Sequence, residues 1–397
     1  MNSGDESASR NWDLRAEQAT LRTAGLWREL RQRETGPAAD FASNDYLGLA
    51  RSETLAAALQ EGVARYGVGA TGSRLICGSK APHQALEEAI AEFKGTEAAL
   101  TFSTGYATAL GVITALVKTG DTVILDKLSH ASLVDAARLS GATLRVFPHN
   151  HLAKLERLLR TATGRVLVVT ESIFSMDGDA APLREIVELK DRFGAWLMVD
   201  EAHAVGLLGP QGRGLAAALG LETRIELQMG TLSKALGLSG GYLAATRQVV
   251  DILINRARSF IYSTAPPPAV AHAAVAAVAV VGSLEGDRLR SRLQENITQA
   301  KTLLPGGVDA AACAAILPII IGDESQAMAL TAAMAKRGFF VPAIRYPTVA
   351  KGLARLRITL SALNETSQIE ALAAHLRSAM TELGGETLGH SARPVSE

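Results

Sequence analysis

The sequence predicts an α/β protein: a mostly parallel β-sheet with helices on both faces, followed by a smaller α+β C-terminal domain. Helical and strand patterns alternate from about residue 83 to residue 258, which implies right-handed crossovers between parallel strands. Several predicted strands end in polar side chains, as strands of an open α/β sheet do where they form a ligand site. After about Gly282 the alternation gives way to charged helical segments and short apolar runs.

Composition and charge point to a globular enzyme. The 397 residues suffice for one large core and a smaller one. Lysine plus arginine and aspartate plus glutamate both number 40, so the chain lacks the basic footprint of a nucleic-acid or membrane-surface protein. The longest apolar run, residues 269–281, is too short to cross a bilayer and predicts a buried helix. We therefore expect neither nucleic acid nor membrane among the partners.

Two cysteines, Cys77 and Cys313, lie far apart and form no C-x-x-C motif. We expect neither a disulfide framework nor a metal site, and a reducing cytoplasm fits this usage. Residues 1–10 are polar and lack the apolar centre of a signal sequence. We expect four segments: a helical extension at 1–42, a large domain at 43–284, the C-terminal domain at 285–383 and a disordered tail at 384–397.

The individual elements follow from the period and length of the apolar pattern. Short apolar runs predict strands at residues 122–125, 144–147, 166–170, 196–199, 225–229 and 242–245. Helical patterns are found at residues 14–33, 83–94, 107–118, 131–140, 153–160, 182–193 and 248–258. In the C-terminal domain, strands are predicted at 316–321, 339–344 and 355–359, and helices at 287–302, 326–337 and 367–383.

One lysine is prominent in the stretch Q-M-G-T-L-S-K-A-L-G-L-S-G-G at residues 228–241. Lys234 follows the apolar run 225–229, close to the hydroxyls of Thr231 and Ser233 and to glycines that let backbone approach a ligand. An amine in such a pocket has its charged form disfavoured, and the neutral amine is the form that attacks a carbonyl. On this stretch alone, a lysine that ends a strand and reaches solvent is an equally good interpretation.

Asp200 follows the apolar run 196–199, and His203 stands three residues later. By itself, an aspartate there would more often be a helix cap or a Mg²⁺ ligand. At the end of a sheet strand it can also pair with a protonated ring nitrogen, which makes a pyridine ring an electron sink. A strand-end aspartate, a later lysine and a cradle of hydroxyls and glycines are the parts that a pyridoxal phosphate site requires. The combination of Asp200 with Lys234 is therefore more specific than either residue.

Other candidate ligand groups lie near the ends of predicted elements. Gly105 and Tyr106 open a helix, where free N–H groups and the helix dipole favour a phosphate. Ser175 follows strand 166–170, and His130 follows another strand, where it could stack on a flat ring or bond to backbone. No G-x-G-x-x-G fingerprint stands between a strand and a helix, and no Walker A motif occurs, which argues against an NAD-linked oxidoreductase.

Arginines near both ends of the chain each allow two interpretations. Arg28 lies near the end of the predicted helix 14–33, where it could be solvated and interact with the helix dipole, or could pair with a carboxylate in the site. The spacing alone favours the solvated interpretation. Arg355 and Arg357 share one face of strand 355–359, because alternate strand residues point the same way. A bound carboxylate and a solvated edge explain these two arginines equally well.

Together, these stretches resemble the α-oxoamine synthases, a group of fold-type I pyridoxal phosphate enzymes, over about residues 20–383. The motifs that carry the resemblance are F-A-S-N-D-Y-L-G-L (41–49), G-A-T-G-S-R-L (69–75), F-K-G-T-E-A-A-L-T-F-S-T-G-Y (93–106), H-A-S-L-V-D-A-A-R-L-S (130–140), E-S-I-F-S-M-D-G-D (171–179), V-D-E-A-H (199–203), T-L-S-K-A-L-G (231–237), F-I-Y-S-T-A-P-P (260–267) and P-T-V-A-K-G-L-A-R-L-R (347–357).

The resemblance implies a role for each candidate residue. Lys234 would carry the cofactor as a Schiff base, Asp200 would pair with its ring nitrogen, and His203 would contact its ring hydroxyl. His130 would stack on the ring and also meet the substrate. The remaining cofactor contacts would be Gly105, Tyr106, Ser175 and Thr231, with Ser263 and Thr264 from the partner subunit of a homodimer with shared active sites. The remaining substrate contacts would be Arg28, Asn44 and Thr348, so the resemblance reverses the interpretation of Arg28 from spacing.

Two motifs, at 260–267 and 347–357, are most similar to the branch of this family that serves biotin synthesis. This similarity implies an acyltransferase that condenses L-alanine with pimeloyl-CoA, or with pimeloyl-carrier protein, and releases CO₂. Departures from the usual residues of that branch occur at Gly78-Ser79, Ala109, Ser129 and Ser233. They leave open an enzyme of the glycine C-acetyltransferase, 5-aminolaevulinate synthase or serine palmitoyltransferase type. A non-catalytic homologue is disfavoured because Lys234, Asp200 and His203 are intact.

Overall fold

The computed structural model describes residues 12–30, 39–305 and 314–384. Its strands are β1 (Ala39–Asp40), β2 (Ala98–Phe102), β3 (Thr122–Asp126), β4 (Thr143–Phe147), β5 (Val166–Glu171), β6 (Trp196–Asp200), β7 (Leu227–Thr231), β8 (Gly241–Ala245), β9 (Ile316–Gly322), β10 (Phe339–Phe340), β11 (Ala343–Ile344) and β12 (Ala354–Thr359). Its helices are α1 (Leu14–Thr23), α2 (Glu53–Tyr66), α3 (Ala81–Lys94), α4 (Gly105–Leu116), α5 (Ala131–Leu139), α6 (Leu152–Arg160), α7 (Leu183–Arg192), α8 (Leu215–Ala218), α9 (Arg247–Arg256), α10 (Arg258–Ile261), α11 (Pro268–Val281), α12 (Leu284–Leu303), α13 (Glu324–Lys336) and α14 (Thr366–Glu382).

Seven of these strands form the central sheet, in the spatial order β2-β8-β7-β6-β5-β3-β4. Neighbours from β7 to β4 run parallel, whereas β8 runs antiparallel to both β2 and β7. The carboxyl ends of the parallel strands therefore meet at one edge of the sheet. Register places Glu171 of β5 beside Asp200 of β6, and Asp200 beside Met229 of β7. Several of the predicted site residues lie at this edge.

Apolar side chains cover both faces of the central sheet. In β3, Val123 and Leu125 pack with α4, α5 and α9, whereas Ile124 between them packs with α6 and α7. Alternate residues of a strand point to opposite faces, so a continuous apolar run is buried on both sides. All three side chains are fully buried, and each contributes about 1.5–3 kcal/mol relative to an exposed side chain. The predicted class, a mostly parallel sheet with helices on both faces, is confirmed.

The C-terminal part adds a three-stranded antiparallel sheet, in the order β11-β12-β9, and the helices α12, α13 and α14. Strand β1 pairs with β10 and so belongs to this part in space, although it precedes the central sheet in the chain. Arg355 and Arg357 of β12 are 4% and 5% exposed, because both guanidinium groups bond to the loop at residues 175–177. The solvated-edge interpretation of these arginines is therefore wrong.

The apolar helix α11 packs against α2 and α3. Gly62 of α2 permits the close approach, since a Cβ there would lie 2.8 Å from Cα of Ala269. Among the residues that the structure describes, no single helix is both long and apolar enough to cross a membrane. The helices Pro268–Val281 and Leu284–Leu303 meet that criterion as a pair, by length and composition only, with a bend of 70° between them.

Some element bounds differ from the predicted ones. Helix α1 ends at Thr23 rather than near residue 33, because Gly25, at a φ of +66°, turns the chain just beyond the helix. Residues 31–33 of the predicted helix lie outside the described residues. The sequence pattern misses β2, whose alanines are weak strand formers, and α2, in which only Leu55 and Gly62 are buried. The predicted strand 339–344 is split into β10 and β11 by Pro342, which has no N–H to donate.

Candidate active site

A chain of hydrogen bonds starts at Lys234, just beyond the end of β7. Its Nζ lies 2.8 Å from Nε2 of His203, and Nδ1 of the same imidazole lies 2.5 Å from the hydroxyl of Tyr46. Lys234 and His203 follow the carboxyl ends of the neighbouring strands β7 and β6. The parallel sheet therefore brings together two residues that are 31 positions apart in the sequence.

Asp200 is buried at the end of β6, where its Oδ1 accepts a hydrogen bond of 2.9 Å from the N–H of Ala202. Burial raises the pKa of this carboxyl, and the charge of Lys234 opposes the rise. Burial lowers the pKa of Lys234, and the charges of Asp200 and Glu171 oppose that change. The amine and the carboxyl therefore lie within electrostatic range of each other. A lowered pKa supplies the neutral amine that attacks a carbonyl.

Glu171 is a buried residue of this edge that the sequence reasoning missed. It ends β5 beside Asp200, and its Oε1 accepts a hydrogen bond of 2.6 Å from the N–H of His130. Burial, followed by the nearby charge of Asp200, raises the pKa of Glu171 to about 8. Its position in the sequence does carry a signal, because it follows an apolar run as Asp200 does. The carboxyl fixes the backbone that presents His130.

His130 caps the first turn of α5. Its Nδ1 accepts the N–H of Ser132 at 3.2 Å and lies 2.8 Å from the hydroxyl of the same serine. The residue is exposed, yet the surrounding protein desolvates the ring enough to lower its pKa, and the charge of Lys234 adds to the lowering. The cap holds the imidazole in one orientation, so that it can present its face to a flat ring.

The N-terminus of α4 offers backbone N–H groups to an anion. Gly105 is its first residue, and the hydroxyl of Thr104 caps the helix. A Cβ at Gly105 would lie 3.7–3.9 Å from Met229 and Thr231, which is ordinary contact, so packing within the protein does not demand a glycine there. At Gly241, by contrast, a Cβ would lie 2.7 Å from the backbone of Gly105. Gly241 therefore lets α4 start close to β8, and Gly105 leaves the helix N-terminus open for a phosphate.

Tyr106 and Thr231 adjoin this helix N-terminus. Tyr106 is the second residue of α4, is 45% exposed, and donates a hydrogen bond of 2.7 Å to Asp135. The hydroxyl of Thr231 lies 3.9 Å from the position that a Cβ of Gly105 would take. With the amine and the carboxyl described above, these groups fit pyridoxal phosphate: a helix N-terminus for the phosphate, an amine for the aldehyde and a carboxylate for the ring nitrogen.

Arg357 of β12 joins two further predicted residues, Ser175 and Asn44. Its Nε donates to the carbonyl oxygen of Ser175 at 2.7 Å, and its Nη2 donates to Oδ1 of Asn44 at 3.1 Å. The hydroxyl of Tyr46 reaches the same amide oxygen at 3.3 Å. The C-terminal part of the chain thereby fixes Ser175 and Asn44 next to the bonds around His203. The sequence reasoning assigned no role to Tyr46, because it lies in a turn-rich stretch without periodicity.

The other four predicted site residues lie away from these bonds. Ser263 and Thr264 stand between α10 and α11, and Thr264 is exposed. Arg28, after α1, and Thr348, before β12, are also exposed. Within the described part of the chain, no hydrogen bond links any of the four to Lys234 or to its neighbours at the sheet edge.

Arg345 connects the segments that carry Arg28 and Thr348. Its Nη2 donates to the carbonyl oxygen of Trp27 at 3.1 Å, and its own carbonyl accepts the N–H of Thr348 at 3.0 Å. The N-terminal segment and the loop before β12 therefore adjoin each other. The sequence reasoning gave no role to Arg345, because only the folded chain brings these two segments together.

Known proteins place this arrangement in a family. The family model for class I and II aminotransferases matches residues 37–376. An 8-amino-7-oxononanoate synthase of Geobacter sulfurreducens is 47% identical over 378 residues, which covers 92% of this chain and 97% of that protein. The structure of a Sphingomonas wittichii serine palmitoyltransferase has a TM-score of 0.87 at 32% identity and covers 94% of this chain and 97% of its own. A structure described as SPT with a PLP internal aldimine has a TM-score of 0.87 at 30% identity, with coverages of 94% and 97%. The chain therefore belongs to the class I and II aminotransferase family and, within it, to the 8-amino-7-oxononanoate synthases.

Proposed function

We propose that this protein uses pyridoxal phosphate to condense L-alanine with a pimeloyl thioester, releasing CO₂ and the thiol and forming 8-amino-7-oxononanoate for biotin synthesis. The proposal depends most on the Lys234 amine, which lies 2.8 Å from His203 at the sheet edge and within electrostatic range of buried Asp200. An amine, an imidazole and a carboxylate in this arrangement can hold and activate a pyridine aldehyde. The 47% identical relative carries the name of this activity.

Bound pyridoxal phosphate supplies an electron sink for the pair that is released at the α-carbon of the amino acid. Asp200 keeps the proton on the ring nitrogen, because a buried carboxylate is stabilised by a cationic partner. Lys234 would hold the cofactor and, as a free amine, would take up the α-proton of the amino acid. His203 would hold the ring hydroxyl, and His130 would cover the ring face. These four residues therefore form the catalytic set.

The start of α4 would hold the phosphate. Backbone N–H groups at Gly105 and Tyr106 point out of the helix, where the dipole favours an anion. Thr231 lies close to Gly105, and its hydroxyl, which donates to the carbonyl oxygen of Gly240 at 2.8 Å in the structure, would turn from that bond to the phosphate; Ser175 would contribute from the loop that Arg357 holds. The substrate is met by Asn44, His130, Arg28 and Thr348, and a guanidinium such as that of Arg28 is suited to a carboxylate.

A second copy of the chain completes each site in this proposal, with Ser263 and Thr264 reaching the partner's phosphate. The support is an exposed apolar surface. It lies on the segment that contains Thr264 and on the segment that contains Ser73, and an isolated β-bridge between these two residues joins the segments. Its members are Val68, Leu75, Ile76 and Tyr262, of which Ile76 is 83% exposed. Monomeric proteins rarely leave such a surface uncovered. A cytoplasmic homodimer, in which exposed Cys77 stays a thiol, fits these features.

Mixed dimers test the shared site. Lys234→Ala subunits and Ser263→Ala/Thr264→Ala subunits should each be inactive alone, and mixing them should restore part of the activity. One of the two sites in a mixed dimer then combines an intact lysine with an intact phosphate contact from the partner. Mixed dimers that form, as tagged pull-down shows, but stay inactive would contradict the shared site.

A second candidate function differs from the first in its amino-acid substrate and its acyl donor. The likeness to serine palmitoyltransferase at a TM-score of 0.87 favours serine with a long acyl chain. Sequence identity favours alanine with a pimeloyl thioester, because this chain is 47% identical to the 8-amino-7-oxononanoate synthase and 32% identical to the serine palmitoyltransferase. Because a shared fold supports different substrates, the higher identity decides.

Release of thiol and of ¹⁴CO₂ from carboxyl-labelled amino acid tests the proposal. Alanine, glycine and serine are each supplied with pimeloyl-CoA, with a pimeloyl-carrier protein and with palmitoyl-CoA. We expect release with alanine and a pimeloyl donor, absent in Lys234→Ala. Release only with serine and palmitoyl-CoA would replace the proposal by the competing function.

A further inference from the structure

Tyr46 is fully buried, and its hydroxyl lies 2.5 Å from Nδ1 of His203. The opposite ring nitrogen, Nε2, lies 2.8 Å from Nζ of Lys234. A neutral imidazole carries one proton, so a partner that donates to Nδ1 leaves that proton on Nε2. We propose that Tyr46 is a positioning residue: it donates to Nδ1 and so keeps the Nε2–H of His203 directed at the cofactor. This inference rests on the proposed function, in which His203 contacts the ring hydroxyl of pyridoxal phosphate.

Both partners are neutral at physiological pH, as the proposal requires. Burial lowers the pKa of His203 well below its usual range, and the charges of Lys234 and Arg357 lower it further. The ring therefore has a single proton, which either Nδ1 or Nε2 can carry. Burial raises the pKa of Tyr46 to about 12, so the phenol keeps a proton to donate.

The phenol has two acceptors within reach, and the distances distinguish them. Nδ1 of His203 lies at 2.5 Å, whereas Oδ1 of Asn44 lies at 3.3 Å. An O–H···O hydrogen bond normally spans about 2.5–3.0 Å, so the contact with Asn44 is long. The amide oxygen already accepts a hydrogen bond of 3.1 Å from Arg357. The phenol proton is therefore best placed on the bond to the imidazole.

Arg357 favours the same direction of donation. Its positive charge works against burial and lowers the pKa of Tyr46, which makes the phenol a better donor. That charge also disfavours the reverse arrangement, in which the imidazole would give its proton to the phenol. The guanidinium is itself fixed, because it donates to the carbonyl of Ser175 and to the hydroxyl of Thr359, both at 2.7 Å.

Loss of this donor changes a property of the bound cofactor that does not depend on turnover. An Nε2–H donated to the ring oxygen stabilises the deprotonated form of that oxygen. In Tyr46→Phe the imidazole can place its proton on either nitrogen, and the donation weakens. We expect the apparent pKa of the cofactor absorbance to rise by about one pH unit, a tenfold change in the proton equilibrium.

The first experiment is a pH titration of the absorbance of the cofactor-loaded protein. Tyr46→Phe should show the rise, and it should add nothing in a His203→Gln background, where no tautomer remains to be set. Tyr242→Phe is the matched control, because that phenol is 2% exposed and its hydroxyl has no hydrogen-bond partner among the described residues. An unchanged apparent pKa in Tyr46→Phe would overturn the proposal. A wild-type protein that binds no cofactor would instead count against the proposed function.

The second experiment reads the tautomer directly and needs neither cofactor nor the Tyr46 variant. In cofactor-free Lys234→Ala protein, the neighbour of Nε2 is gone, and the partner of Nδ1 decides where the proton lies. Histidine ¹⁵N NMR, with His203 assigned through His203→Gln, should show an unprotonated Nδ1 and a protonated Nε2. A protonated Nδ1 would overturn the proposal whatever the absorbance shows.

Discussion

Replacing His149 by glutamine should destabilise the protein at neutral pH and much less at alkaline pH. Nδ1 of His149 lies 3.0 Å from Oδ1 of Asp126, and Nε2 lies 2.8 Å from Oδ2 of Asp179. Both nitrogens can donate only in the protonated ring. Burial alone would lower the pKa of His149, but the two carboxylates raise it to about 9. The ion cluster ties the end of β3, shortly before His130, to the loop that carries Ser175.

The magnitude follows from the pKa change. A rise from 6.5 to about 9, at about 1.4 kcal/mol per pH unit, corresponds to about 3 kcal/mol of folding free energy. Because the folded-state pKa is raised, this stabilisation is complete below about pH 6.5 and is lost as the pH rises through about 9. The ring is 16% exposed, so solvent screening is weak. Removing the cation at neutral pH also takes away the positive charge that faces two buried carboxylates, which costs about 3–5 kcal/mol in comparable sites.

Urea unfolding of the cofactor-free protein, followed by circular dichroism, measures the effect at about pH 7 and pH 10. We expect wild type to exceed His149→Gln by about 3 kcal/mol at the lower pH, and most of this gap to close at the higher pH. His375→Gln, at an exposed histidine, should show no such pH-dependent gap. A gap for His149→Gln that is equally large at both pH values would refute the assignment of a protonated ring.

Three further changes test other parts of the structure. Lys94 and Glu201 form an ion pair at 2.5 Å, and their side chains are 1% and 0% exposed. Lys94→Met leaves the buried charge of Glu201 without its ion-pair partner, so urea unfolding should show that the free energy of unfolding falls by about 3–5 kcal/mol. Gly241→Ala should force α4 away from β8 and weaken cofactor binding about tenfold, as measured by fluorescence titration. The control Gly282→Ala, whose added Cβ would meet no atom closer than 3.5 Å, should leave the affinity for the cofactor unchanged. Glu171→Gln removes a carboxyl whose pKa is raised from 4.5 to about 8, so the variant should gain stability over wild type as the pH rises from about 4.5 to about 8, with no further gain above that.

Each of these has an outcome that contradicts its reasoning. A Lys94→Met protein as stable as wild type would mean that the buried pair adds nothing to the fold. Equal cofactor affinity in Gly241→Ala would remove the argument that the glycine sets the phosphate site. A Glu171→Gln protein whose stability relative to wild type does not change with pH would show that this carboxyl is not protonated in the fold.

The architecture could be predicted because apolar period and strand ends are local properties of the sequence. The run 196–199 ends at a carboxylate, and in the structure β6 ends at Asp200. The antiparallel insertion of β8 between β2 and β7 could not be predicted, since nothing local records strand direction. The run 225–229 corresponds to a strand shifted to Leu227–Thr231, because residues 222–224 form a separate turn of helix.

The site could be predicted only as far as its residues follow strands. Lys234, Asp200 and His203 could be singled out because they follow predicted strands, but their roles came from their combination and from the family resemblance. Tyr46 could not, because it reaches His203 across 157 positions of sequence from a segment without regular structure. The role of Arg357 was open for the same reason: alternation gives the face of its strand but not the loop that packs on that face. Burial and partners of such residues depend on tertiary contacts that a single sequence does not display.

Borohydride reduction of the cofactor-loaded protein, followed by peptide mass mapping, tests the central claim most directly, because it identifies the amine that holds the cofactor. We predict one reduced pyridoxyl phosphate on the peptide that contains Lys234, and none on the Lys234→Ala protein treated in the same way. Label on a different lysine, or equal labelling of Lys234→Ala, would contradict the assignment of this site.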